Sequence, residues 1–180
     1  FKLIELIKKG NNGISFSGKS LREKTAFSVA AAFNPNVANL GRAVQRMERK
    51  IASGADYILT QPIYDAEKFS ELKVATEHID VPIFVGIMPL TSSRNAEFLH
   101  NEVPGITLTD EVRERMRLVA ENREKSTEES IAISKELVDA ALEHFNGVYL
   151  ITPFMRYDIV IEIVKYIHEK TGKKADTAII

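Results

Sequence analysis

Four short apolar runs alternate with longer amphipathic stretches along this 180-residue chain. The runs are FSVAAAF (27–33), DYILTQP (56–62), PIFVGIM (82–88) and GVYLITP (147–153). Each run is apolar on both faces, which is typical of parallel strands that helices cover. Because such strands alternate with helical stretches, the sequence predicts consecutive βα units and a parallel sheet.

The stretches between the runs carry helix signals. Residues 38–53 place Leu40, Val44, Met47 and Ile51 on one stripe, and Gly54 can end that helix. We further expect a helix over 65–79 with Asp65 as N-cap, a short helix capped by Thr91 or Ser92, and a helix over 110–120 capped by Thr109.

Two more helices are predicted near the C-terminus. The charged segment 121–129 leads into a long helix that ends before Gly147 and turns Val138, Ala141, Leu142 and Phe145 inward. A last helix over 156–170 should bury Val160, Ile163, Val164 and Ile167. We expect residues 171–180 to form a flexible tail.

Composition narrows the classes of function. With 44% hydrophobic residues and a net charge of −1, the chain reads as one globular domain, without a charge pattern for nucleic acid or membrane surfaces. It has no cysteine and its four histidines are far apart, so no metal site is predicted. Without an apolar run of membrane-spanning length or a signal peptide, we expect a cytoplasmic protein. Because the chain begins inside a predicted helix and without methionine, we also expect a fragment of a longer protein.

Ligands of parallel barrels bind at the carboxyl ends of the strands. There the sequence places Phe33, Asn34 and Asn36, then Thr60 and Gln61, then Met88, Pro89 and Thr91, and finally Thr152, Phe154 and Arg156. Gln61 is the sharpest candidate, because a carboxamide offers a donor and an acceptor to the edge of a heterocycle. The alternative is a hydrogen bond to a neighbouring backbone carbonyl.

Basic residues give a second set of candidates. Arg156 opens a predicted helix, where the helix dipole disfavours a cation, so an anionic ligand is one interpretation and an ion pair with Asp158 is the other. Arg42, Arg46, Arg49 and Lys50 share one helix and could bind a pyrophosphate. Helical periodicity instead places them opposite the apolar stripe, on a solvated face.

Three segments carry a resemblance to a known family. GADYILTQPIYD (54–65), VPIFVGIMPLTSSRNAEFL (81–99) and NGVYLITPFMRYDIVIEI (146–163) resemble the second half of methylenetetrahydrofolate reductase, in particular its bacterial forms fused behind a homocysteine S-methyltransferase domain. The resemblance covers nearly the whole chain. It implies an α/β fold, the C-terminal half of a (β/α)8 TIM barrel, with four parallel strands and covering helices over residues 1–180.

The resemblance also implies an activity and a set of site residues. Enzymes of the family bind FAD, take hydride from NADH or NADPH, and reduce 5,10-methylenetetrahydrofolate to 5-methyltetrahydrofolate. The positions that match folate contacts of the family are Gln61, Tyr64, Leu99 and Arg156. Those that match FAD contacts are Ala31, Phe33, Asn34, Arg46, Arg49 and Lys50.

The chain departs from the family in several places. Ala43 stands where the family has an aspartate that bonds the flavin. Leu99 stands where the family has an aromatic residue, and Tyr64 can supply the missing ring. The family's catalytic glutamate and a flavin-proximal aspartate belong to strands that this chain does not match, since residues 1–9 resemble the helix before the fifth strand. We therefore assign no catalytic residue and expect the chain alone to be inactive and to form a homo-oligomer.

Two alternatives remain from the sequence. One is a non-catalytic half-barrel that keeps some affinity for the cofactor or for folate. The other is a different pterin-dependent barrel enzyme, such as a methyltransferase, which would bind folate without flavin.

Overall fold

The computed structural model describes residues 1–172 of the chain. Seven α-helices and four strands follow one another in these residues, with a 3-10 turn at Pro153–Met155. In order they are α1 (Lys2–Asn11), β1 (Ala30–Phe33), α2 (Leu40–Ala52), β2 (Tyr57–Pro62), α3 (Glu67–Ala75), β3 (Ile83–Ile87), α4 (Ser93–Glu102), α5 (Asp110–Leu118), α6 (Arg123–His144), β4 (Val148–Leu150) and α7 (Tyr157–Thr171).

The four strands form one sheet in the order β1-β2-β3-β4, and each neighbouring pair is parallel. Helices connect successive strands, as parallel pairing requires. This is the predicted α/β fold of four parallel strands with covering helices, and it corresponds to half of an eight-stranded barrel. Within the described residues β1 and β4 are the edges of the sheet.

The two faces of the sheet differ in burial. Ile58, Val85 and Ile87 point towards the helices and are buried in the core. Their neighbours Leu59 and Phe84 point the other way and are half-buried. We call this second surface the open face. In a complete barrel it would line the interior.

Helix α2 confirms the predicted apolar stripe. Val44 and Met47 are buried against the sheet, and the partly buried Leu40 and Ile51 extend the same stripe. The carboxamide oxygen of Asn39 caps the helix by accepting a hydrogen bond from the N–H of Arg42, 2.9 Å away. Beyond the helix, Gly54 has φ +108°, a conformation that favours glycine, so the predicted stop is also confirmed.

Two more predicted caps are confirmed. The hydroxyl of Ser92 accepts a hydrogen bond from the N–H of Asn95 at the start of α4. The hydroxyl of Thr109 accepts one from the N–H of Val112 at the start of α5. Both contacts span one helical turn, so the local sequence was sufficient to predict them.

The first and last strands are shorter than predicted. Strand β1 begins at Ala30 instead of residue 27, because the carboxamide of Asn11 binds both the N–H and the carbonyl oxygen of Phe27, at 3.0 and 2.8 Å. The backbone of Phe27 is thus paired with α1. Strand β4 ends at Leu150, and the 3-10 turn that starts at Pro153 follows it.

Helix α3 is also shorter than the predicted 65–79. It begins at Glu67, and the carboxylate of Asp65 accepts a hydrogen bond from the N–H of Glu67, which forms a turn before the helix instead of an N-cap. The helix ends at Ala75, where the hydroxyl of Thr76 donates to the carbonyl oxygen of Leu72.

The two C-terminal helices differ from the prediction in their boundaries and in the residues that they bury. Helix α6 reaches back through the charged segment to Arg123, because the side chain of Asn122 caps it. In α7 the buried residues are Ile159 and Ile163, whereas Val164, predicted to be buried, is exposed. The predicted burial of Ile163 is confirmed, the predicted Val160 and Ile167 are half-buried, and Ile159 is the buried residue at the start of the helix.

The structure covers the C-terminal residues as far as Gly172. Thr171 is the last residue of α7, so it does not belong to the predicted tail. Residues 173–180 lie outside the described residues. No helix within residues 1–172 combines the length and the hydropathy needed to cross a bilayer.

Candidate functional site at the ends of β1 and β2

A cleft of about 290 Å3 opens where β1 and β2 end beside α2. The predicted residues that line it are Phe33, Asn34, Arg46, Lys50 and Gln61. These residues come from three elements and are brought together because the carboxyl ends of parallel strands share one edge of the sheet. The cleft therefore joins the predicted folate contact Gln61 with four of the six predicted FAD contacts.

Gln61 lies on the open face with its side chain exposed. No side chain of the core covers its carboxamide, so both the donor and the acceptor can reach a ligand in the cleft. The alternative, that the carboxamide only bonds a neighbouring backbone carbonyl, has no such bond to support it among the described hydrogen bonds of residues 1–172.

Lys50 and Arg46 lie one turn apart on α2 and supply the positive charge of the cleft. The ammonium group of Lys50 donates a hydrogen bond to the carbonyl oxygen of Ala32 in β1. Burial, with a smaller contribution from the charge of Arg46, lowers the pKa of the Lys50 ammonium. Two cations at such close quarters favour an anion between or beside them.

Arg49 does not line the cleft. Its guanidinium lies over the ring of Phe1, 4.5 Å from the ring centroid, and the guanidinium of Arg46 lies 5.9 Å from the same centroid. These contacts attach α1 to α2. The helical wheel had placed the basic residues on the solvated face, and Arg42, Arg46 and Arg49 are indeed exposed. The FAD contact of Arg49 stays a prediction.

The end of β1 supports the cleft from the other side. Ala31 is buried in the core, so its side chain is not in the cleft lining. The carboxamide oxygen of Asn34 accepts a hydrogen bond from the N–H of Asn36. The carboxamide of Asn36 in turn donates to the carbonyl oxygens of Pro62 and Gly105, at 2.9 and 3.0 Å. Asn36 thus ties the loop after β1 to the end of β2.

Tyr64 and Leu99, two of the predicted folate contacts, lie in the core. Tyr64 is 2% exposed, and its hydroxyl donates a hydrogen bond to the carbonyl oxygen of Met88, 2.7 Å away. Burial raises the pKa of this phenol. Leu99 is buried on the inner side of α4. Neither the ring of Tyr64 nor the side chain of Leu99 lines the cleft, and their contact with folate stays a prediction.

Arg156 lies near the end of β4, away from the cleft residues of β1 and β2. Its guanidinium donates to the carboxylate of Asp158, at 2.7 and 2.9 Å, and to the hydroxyl of Thr127, at 3.1 Å. The ion pair that the sequence offered as the alternative interpretation is therefore present. It raises the pKa of Arg156 and lowers the pKa of Asp158.

Four further residues complete the lining of the cleft, and the sequence did not single them out as contacts. They are Ala32, Val37, Ala43 and Met47. Met47 belongs to the apolar stripe of α2, which signalled that it faces the sheet but not that it reaches this cleft. Ala43 stands where the family has an aspartate. Because Ala43 lines the cleft, this departure from the family lies within the candidate site.

Comparison with known proteins identifies the family. A sequence model of methylenetetrahydrofolate reductase matches residues 2–168. The chain belongs to the methylenetetrahydrofolate reductase family. Methylenetetrahydrofolate reductase 1 of Schizosaccharomyces pombe is 37% identical to it over 54 residues, which are 29% of this chain and 9% of that protein.

A solved structure shares the fold of this methylenetetrahydrofolate reductase family member. It is an uncharacterized protein from Clostridium thermocellum that binds two copies of 5-methyl-5,6,7,8-tetrahydrofolic acid. The TM-score is 0.56 at 19% identity, over 81% of this chain and 54% of that one. The chain thus spans about half the length of that structure, and a smaller part of the yeast reductase.

Proposed function

We propose that the chain forms the folate- and FAD-binding half of an enzyme that reduces 5,10-methylenetetrahydrofolate to 5-methyltetrahydrofolate with hydride from NADH or NADPH. One observation carries the proposal: the carboxamide of Gln61 opens into the same cleft as the cations Arg46 and Lys50. A heterocycle and an anionic cofactor can therefore meet at one place. Membership of the reductase family agrees with this pairing.

The folate contact rests on the chemistry of Gln61. A pterin presents alternating donors and acceptors along one edge, and a carboxamide can pair with both kinds of atom. Gln61 is exposed at a strand end, where ligands of parallel barrels bind. The solved structure from Clostridium thermocellum binds a folate on a similar fold, which supports folate as the ligand class.

The FAD contact rests on the charge and shape of the cleft. Arg46 and Lys50 would hold the pyrophosphate, since guanidinium and ammonium groups form strong hydrogen bonds with phosphate oxygens. The cleft of about 290 Å3 fits a part of the cofactor, so the rest of FAD would extend along the open face. When bound, the flavin supplies the hydride transfer of the reaction.

Proton donation is not part of this proposed role. The segments that follow the strands, at 33–36, 60–62, 88–91 and 151–156, contain no carboxylate. Asp65, just beyond β2, is bonded to the N–H of Glu67. The open face and the edges β1 and β4 would need a partner to close the barrel. We therefore propose that the chain alone binds both ligands but does not catalyse the reduction. We also propose that it self-associates in the cytoplasm.

Equilibrium titration of the full chain with FAD and with 5-methyltetrahydrofolate tests the proposal. We expect both to bind, and we expect Gln61→Leu to weaken folate binding by about 2- to 12-fold, the loss of one neutral hydrogen bond. Gln45→Leu, an exposed position on α2 outside the cleft, is the matched control. Folate binding without FAD binding would favour a pterin-dependent methyltransferase, and binding of neither ligand would refute the proposal.

A further inference from the structure

Strand β2 contains one extra residue just where Gln61 projects. Leu59 pairs with Phe84 of β3, but the next pair joins Pro62 to Gly86, so β2 advances three positions while β3 advances two. The register between the two strands therefore shifts by one residue at Thr60 and Gln61, as it does at a β-bulge. Bulges re-aim a side chain and often lie beside binding sites.

Thr60 holds one side of this bulge. Its buried hydroxyl donates a hydrogen bond to the carbonyl oxygen of Gln61, at 2.8 Å, and accepts one from the N–H of Gly86, at 3.0 Å. The side chain thereby takes the place of a backbone ladder contact between β2 and β3. The carbonyl oxygen of Thr60 is released from regular pairing and needs another donor.

Tyr149 of β4 supplies that donor. Its hydroxyl donates a hydrogen bond to the carbonyl oxygen of Thr60, although β3 lies between the two strands. The reach is possible because Gly86, the residue paired with Tyr149, has no side chain. A Cβ at position 86 would lie 2.9 Å from both the Tyr149 hydroxyl and the Thr60 carbonyl oxygen.

We infer that Tyr149 is a positioning residue for Gln61: its hydroxyl fixes the Thr60–Gln61 peptide and so directs the Gln61 carboxamide into the cleft. The inference rests on the proposed role of Gln61 in folate binding. Tyr149 acts through the backbone of β2 and is not placed in the lining of the cleft. A tyrosine phenol is protonated at neutral pH and can donate, and burial raises the pKa of the Tyr149 phenol further.

A double-mutant cycle tests this coupling in the full chain. Tyr149→Phe should weaken 5-methyltetrahydrofolate binding by about threefold to tenfold, and it should leave FAD affinity unchanged. In the Gln61→Leu background the same change should cost nothing more, because the group that it positions is gone. Equal losses of folate affinity in both backgrounds would show that Tyr149 has only a structural role and would overturn the inference.

Tyr57→Phe is the matched control, since Tyr57 lies on the same face of the sheet and packs edge-on against Phe84, with ring centroids 5.8 Å apart. Removal of its hydroxyl should change neither affinity.

A measurement without ligand separates this inference from the proposed function. The side-chain amide signals of Gln61 in an NMR spectrum of the 15N-labelled chain are identified by their loss in Gln61→Leu. Tyr149→Phe should shift these signals, and Tyr57→Phe should not. If the chain binds no folate, the proposed function fails and this spectrum still decides the positioning. Unshifted Gln61 signals in Tyr149→Phe would overturn it.

Discussion

The ammonium group of Lys50 donates a hydrogen bond to the carbonyl oxygen of Ala32 and thereby joins α2 to β1 in the cleft that Gln61 also lines. Ala32 lies in an edge strand, so its carbonyl would otherwise face solvent. The contact holds a positive charge beside the end of β1.

Replacement of this lysine tests the cofactor site. Lys50→Ala should weaken FAD binding by about 1.5–3 kcal/mol, the value of a hydrogen bond to a charged group. The measurement is a fluorescence titration of flavin with the chain. Arg42→Ala removes an exposed cation from the same helix without touching the cleft and should leave the affinity unchanged. Equal affinities for the wild type and Lys50→Ala would place the cofactor elsewhere.

Gly86 provides a test of packing on the open face. Gly86→Ala should lower the free energy of unfolding by about 1–3 kcal/mol, because the new methyl group would displace Tyr149 or Thr60. Urea denaturation measures the loss. In Gly41→Ala, where the nearest atom would be 3.7 Å away in an exposed helix, no loss is expected. Similar denaturation midpoints for Gly86→Ala and the wild type would contradict the contact that Tyr149 makes with Thr60 across β3.

The ion pair between Lys8 and Asp56 predicts a dependence of stability on pH. The ammonium of Lys8 and, to a smaller extent, the N–H of Val29 hold the pKa of Asp56 below its ordinary value of 3.8. A lowered pKa of the folded state stabilises the fold above the unfolded-state value, and this contribution is lost as the pH falls through the folded-state value.

Asp56→Asn keeps an acceptor for Val29 but loses the charge that faces Lys8. The stability gap between the wild type and Asp56→Asn should therefore be constant near neutral pH and should narrow below about pH 4. Thermal unfolding across pH measures it, with the exposed Asp80→Asn as control. A gap that does not change with pH would show that the ion pair does not contribute.

The features that could be predicted from sequence are those set by near neighbours in the chain. The stripe of Val44 and Met47 follows from helical periodicity, and the caps Ser92 and Thr109 follow from contacts within one turn. The parallel direction of the four strands follows from their alternation with helices, and their order follows from the half-barrel that the resemblance implied.

The features that could not be predicted depend on distant residues. The donor Tyr149 is 89 positions from its acceptor Thr60, and no pattern links the two. Tyr64 becomes buried through a parallel bridge to Leu108, beyond two intervening helices and a strand. Gly86 did carry a signal, since a lone glycine inside an apolar strand indicates a bulge or a close approach of another group.

The most direct test of the proposed folate contact measures two half-reactions separately, in the chain combined with a partner that closes the proposed barrel. Stopped-flow measurement with Gln61→Leu should show slower oxidation of the reduced flavin by 5,10-methylenetetrahydrofolate. Reduction of the flavin by NADH or NADPH should proceed at the wild-type rate, because Gln61 is assigned to the pterin. An equal loss in both half-reactions, or no loss in either, would contradict the assignment of Gln61 as a folate contact.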